Sequence, residues 1–170
     1  MMYGRGVIGP VTRLVAFVVA VVSAGCIYEQ PLVPGRPETV DRRLLGQWRC
    51  VSPDNAEPAI LRVTESPDRK YLSEFGGGDA KPFVFSAYAV TFQGKILLNA
   101  QEIEDGEARK WTLARYSLYR PTVLHLEFAR DEPFRDATTT DQRVAILRRE
   151  LKDSGLFEDY CTCIRLKNQE

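Results

Sequence analysis

The 170-residue chain is 44% hydrophobic and balances 23 Lys and Arg against 23 Asp and Glu. A chain without net charge lacks the basic face that a phosphate backbone requires, which argues against nucleic acid as a partner. Its length fits one ordinary domain, and no internal repeat divides it.

The first element is a leader. Arg5 and Arg13 provide positive charge, Leu14 to Val22 is a run without charge, and Ser23, Ala24 and Gly25 lead into Cys26. A basic flank, a short apolar stretch and small residues make up an export signal. A bilayer-crossing helix needs about twenty apolar residues, so this run is too short for a permanent span.

The segment Val22-Ser23-Ala24-Gly25-Cys26 resembles the lipobox of bacterial lipoprotein signal peptides, with Ser23 where Leu is commoner. The resemblance implies that the Cys26 thiol receives a diacylglyceryl group and that residues 1–25 are cut away. Ala24 and Gly25 would flank the cleavage point, and a further fatty acyl group, such as palmitate, would cap the new amino terminus. Each buried methylene contributes about 0.8 kcal/mol, so two or three chains retain a protein where one does not. Ile27 stands where the family uses Asp to keep a lipoprotein in the inner membrane. In a two-membrane bacterium the expected location is therefore the outer membrane, facing the periplasm. The alternative is an ordinary secretory signal that leaves the thiol unmodified.

Loss of the leader removes two Arg and no acid, leaving 23 − 2 = 21 basic against 23 acidic residues and a net charge of −2. Residues 26–40 then read as a lipid-anchored tether. Pro31, Pro34 and Pro37 recur with the three-residue turn of polyproline II, so an extended spacer reaching roughly 40 Å is expected. Glu38 to Leu45 reads as a helical turn with Val40, Leu44 and Leu45 on one side.

Residues 41–170 read as a mainly β domain. Period-two alternation places strands at 46–52, 59–65, 70–75, 83–92, 96–103, 109–120 and 123–129. Turn residues separate them, among them Ser66-Pro67-Asp68, Gln93-Gly94 and Pro121-Thr122. Thr139 and Gln142 have capping-box spacing, and Val144, Leu147 and Leu151 form one apolar side of a helix that Gly155 can end. Alternation resumes over 160–167. The expected architecture is a small antiparallel meander or barrel of about eight strands, with one helix before the last.

Gly46-Gln47-Trp48, at the start of the first strand and after a helical turn, resembles the lipocalin signature. The late helix followed by one more strand is similar to the lipocalin order. The resemblance implies that Trp48 plugs the closed base of a cup and that an Arg from the last barrel strand packs on it. Arg130, after strand 123–129, holds the matching place. Seven strands rather than eight precede the helix, and the mid-chain Thr-Asp-x-Tyr of that family is missing, so a deep cavity does not follow. A plain core aromatic is the other reading of Trp48.

With Cys26 lipidated, Cys50, Cys161 and Cys163 remain in an oxidising compartment. Cys161 and Cys163, at i and i+2, are about 6.5–7 Å apart in an extended strand, near the upper limit for a bridge. A bond from Cys50 to Cys161 or Cys163 would close a long loop and contribute about 3–5 kcal/mol. Strand parity opposes it, because Cys50 shares a face with Trp48 while Cys161 and Cys163 share theirs with Arg165 and Lys167. Three free thiols are the alternative. No metal site is expected, since the spacing is not Cys-x2-Cys and the one histidine is His125.

Catalytic signals are sparse: there is no Gly-x-Ser-x-Gly elbow and no phosphate loop, His125 reads as a surface residue, and Gly76-Gly77-Gly78 reads as a turn. The expectation is no enzyme, no catalytic residue and no cofactor. Phe83, Phe85, Tyr88, Phe92, Trp111, Tyr116 and Tyr119 offer aromatic surface for a small apolar ligand in or at the mouth of the barrel. The alternative function is an envelope structural or assembly factor that docks a protein partner and takes no ligand.

Overall fold

The computed structural model describes residues 28–78, 81–104, 107–152 and 154–167. The leader, with Ala24, Gly25 and Cys26, lies outside them. Eight strands follow in chain order: β1 (Gly46–Ser52), β2 (Asn55–Glu65), β3 (Tyr71–Gly76), β4 (Phe83–Phe92), β5 (Lys95–Glu104), β6 (Glu107–Arg120), β7 (Val123–Ala129) and β8 (Phe157–Arg165). One α-helix, α1 (Thr140–Glu150), precedes β8. Each strand pairs antiparallel with the next and β8 returns to β1, which closes the barrel. The closed eight-stranded barrel is the one expected from the alternation, and its order, with one helix before the last strand, matches what the lipocalin resemblance implies. Among the described residues no helix is long and apolar enough to cross a membrane.

Local chemistry accounts for the elements. Between β4 and β5 the two-residue loop Gln93-Gly94 has φ of 51° and 75°, the left-handed pair that matches the twist of a tight hairpin. Thr139 caps α1 by accepting from the Gln142 amide, and the Gln142 side chain accepts from the Thr139 amide. The helical turn expected near 38–45 is a 3-10 turn, Arg42–Leu44, capped by Asp41.

The barrel has two apolar cores. Inward residues such as Trp48, Leu61, Val63, Tyr71, Leu98 and Leu124 fill its interior. Outward residues Val90, Leu97, Leu113 and Ala129 form the second, buried against Leu147 and Leu151 of the helical segment and against Leu32 and Val33 of the N-terminal segment.

The N-terminal segment corrects the tether reading. Residues 28–40 are a strap packed on the outer wall, not a spacer. Tyr28 forms an antiparallel bridge with Trp111, on a stretch of β6 that β7 does not cover. Leu32 and Val33 are fully buried, and the Glu38 amide donates to Ala89 O at 2.8 Å. Asn99, itself buried, clasps Val33 from both sides: Val33 N–H donates to Oδ1 at 3.2 Å, and Nδ2 donates to Val33 O at 2.9 Å. Prolines at every third place are compatible with such a strap, because the backbone they leave extended can still bury the apolar residues between them.

Candidate functional site

The barrel interior holds an apolar cavity of about 90 Å3. Ala87, Ala100 and Ala114 line one wall of it, from three neighbouring strands, with Ala87 directly opposite Ala100. An eight-stranded barrel is just wide enough for side chains to fill, so three methyl side chains together leave a gap. Phe75, Phe85, Phe128 and Tyr160 supply an aromatic wall. The Tyr160 ring sits edge-on to Phe128 at 4.6 Å and tilted to Phe75 at 5.5 Å. Burial pushes the Tyr160 hydroxyl above the usual phenol range.

Of the aromatics singled out in the sequence, Phe85 lines this cavity. Phe83, paired with Phe75 across β3 and β4, is 56% exposed. Tyr88, Phe92 and Trp111 pack into the outer core, and Tyr119 is exposed. Phe75, Phe128 and Tyr160 were not singled out. Phe128 was readable from its alternation with Leu124 and Leu126.

The base is closed by Trp48, whose Nε1–H donates to Leu44 O at 2.9 Å. The arginine packed on it is Arg165 of β8, with its guanidinium 4.3 Å from the indole centre. Arg130 is exposed at the other end of the barrel, 3.7 Å from Glu158, so the assignment of Arg130 to the base is corrected. The last barrel strand is β8 rather than β7, which moves the matching position to Arg165. Arg165 also donates to Leu45 O at 2.8 Å, to Arg43 O and to Pro121 O at 3.2 Å. Gly46 adopts φ +123°, and a Cβ there would meet Arg165 Nη1 at 3.1 Å. The Gly-x-Trp spacing thus reflects a strained backbone position beside an arginine that needs the space. Beneath the base, Tyr71 OH accepts from the Asp41 amide at 2.7 Å and Tyr116 OH donates to the Asp41 carboxylate at 3.3 Å. The Arg43 guanidinium beside Asp41 holds that carboxyl below the usual carboxylate range.

Cys50 and Cys163 are disulfide-bonded, facing each other across β1 and β8. Cys161 is a buried free thiol, its sulfur 3.5 Å from that of Cys163. The parity objection fails: Cys161, Cys163 and Arg165 all point inward, and the charge of Arg165 is accommodated on Trp48. Burial raises the Cys161 thiol to about 12.

A second, open groove of about 850 Å3 lies on the outer wall among Lys95, Arg115, Tyr119, His125, Glu127 and Asp159. His125 touches Thr162 Oγ1 through Nδ1 and Asp159 Oδ1 through Nε2, each at 3.1 Å. The ligand atoms of His125, Glu127 and Asp159 lie within 4.8 Å of one another. Glu127, however, is held by Arg115 through both oxygens, at 2.6 and 2.5 Å, so a cation would have to displace a guanidinium.

Comparison with protein-family models, with curated proteins and with solved structures gave no match.

Proposed function

We propose that this chain is a lipid-anchored envelope lipoprotein of lipocalin type whose barrel takes up the end of a slender apolar molecule, and that it is not an enzyme. The leader ending in Cys26 supports the anchor and the envelope location. The apolar cavity is the observation that carries the ligand. An apolar cavity of about 150 Å3 takes up benzene. A space of about 90 Å3 suits something narrower, such as the terminal carbons of an unbranched chain. An aromatic wall without a charged group selects against a polar head inside.

Two measurements test this reading. Native mass spectrometry of the protein released from its own envelope should show a co-purifying apolar molecule. Octanoate should perturb the methyl resonances of Ala87, Ala100 and Ala114, and Ala100→Leu, which fills the space, should abolish the perturbation. Unperturbed methyls would remove the ligand reading. The anchor is tested separately by incorporation of radiolabelled fatty acid, lost in Cys26→Ser.

The second reading, docking of an envelope protein, has its own support. Ile164, 61% exposed, and Ile60, 37% exposed, flank Arg49 across β8, β1 and β2, with Val51 exposed beside them. Capture of a partner that Ile164→Asp releases, together with no ligand in the cavity, would favour it.

A further inference from the structure

A lipid-anchored domain with a long free spacer stands clear of its membrane, and the prolines of residues 26–40 read as such a spacer. The strap leaves almost none of it. Tyr28 is fixed to the barrel by two backbone hydrogen bonds: its N–H donates to Trp111 O at 2.7 Å and its O accepts from Trp111 N–H at 2.5 Å. Its ring sits edge-on to Phe134 at 6.0 Å, and the Arg143 guanidinium lies 4.9 Å above it. From there to Val40 the chain is held by buried Leu32 and Val33, by the Asn99 clasp and by Ala89.

We infer that the outer wall around Tyr28, Trp111 and Arg143 is a membrane-facing surface, and that its partner is the phospholipid headgroup layer of the leaflet that holds the anchor. This rests on the reading of Cys26 as the lipidated residue. Cys26 precedes Tyr28 by two residues, and two residues of chain span at most about 7 Å. Acyl chains begin where headgroups end, so a link this short leaves no room for a water layer as thick as the barrel. The surface it brings down is suited to that place. Tyr28 itself is buried, 8% exposed, so half-buried Trp111 is the aromatic that meets an apolar and a wet side together, and half-buried Arg143, over the Tyr28 ring, places a cation beside it for lipid phosphates.

The full acylated protein in vesicles of phosphatidylethanolamine and phosphatidylglycerol, with a fraction of dansyl-labelled headgroups, tests this. Energy transfer from Trp48 and Trp111 to dansyl should be strong. Twenty Gly and Ser residues inserted between Ile27 and Tyr28 add a coil of roughly 25 Å root-mean-square length, and should lower the transfer about threefold or more. The insert interrupts no contact among the described residues, which begin at Tyr28, so the thermal midpoint of the barrel should not move. Flotation with the vesicles reports the anchor independently. Protein that floats but shows weak transfer, or transfer indifferent to the insert, overturns the apposed surface and leaves the anchor standing. Protein that does not float overturns both.

Discussion

The Arg165 guanidinium stacks on Trp48 across the β1–β8 junction, directly opposite it in register, and its remaining donors tie the 3-10 turn and the Pro121 turn to the same point. A single side chain therefore seals the base and joins the first strand to the last.

Arg165→Ala should lower stability by roughly 2–4 kcal/mol, because a cation–π contact and several hydrogen bonds to carbonyls vanish together. Arg130→Ala, at an exposed ion pair of 3.7 Å, should change it by no more than about 0.5 kcal/mol. Urea unfolding of the two variants side by side checks the assignment of the base arginine.

The disulfide closes a sequence separation of 113. Its removal in Cys50→Ala/Cys163→Ala should cost about 3–5 kcal/mol. Peptide mapping without reductant should recover Cys50 joined to Cys163, and Cys161 should alkylate only once the barrel is unfolded.

Stability should decline as pH rises above about 9. The unfolded Cys161 thiol loses its proton near 9, whereas the folded one keeps it to about 12. Between those values the unfolded state binds fewer protons and gains the advantage. Burial of Tyr71, Tyr116 and Tyr160 acts in the same direction above 10. Cys161→Ala should flatten the decline between pH 9 and 10, measured by equilibrium unfolding.

Asn99→Ala should cost roughly 2–4 kcal/mol, since the buried N–H and C=O of Val33 both lose their partner. Hydrogen exchange at the Val33 amide should accelerate well before that of the central strands. Equal acceleration everywhere would mean that the strap and barrel open as one.

The barrel was legible because half-buried antiparallel strands alternate. Strands 46–52, 83–92 and 123–129 coincide with β1, β4 and β7, and the Thr139–Gln142 capping box marks the helix start. The strap was not legible, because three regularly spaced prolines describe an extended backbone and carry no information on what it touches. A signal was nevertheless present. Val90, Leu97 and Leu113 are apolar on the outward parity of their strands, which requires a cover for that wall. Arg165 was misjudged for the opposite reason: a charge was read as pointing to solvent, whereas an aromatic face at the end of a barrel can hold it. The cavity arises from three alanines on separate strands, a coincidence of register that local pattern does not carry.

The seam between β1 and β8 carries a timing consequence. The barrel's first strand pairs with β2 early but finds its second neighbour only when the last strand of the barrel has been made, and Cys50 meets Cys163 only then. A nascent chain that halts ahead of Phe157 would present two raw backbone margins, one from β1 and one from β7, together with an unmated thiol. Quality control in the cell need only sense those margins to tell an unfinished molecule from a sealed one.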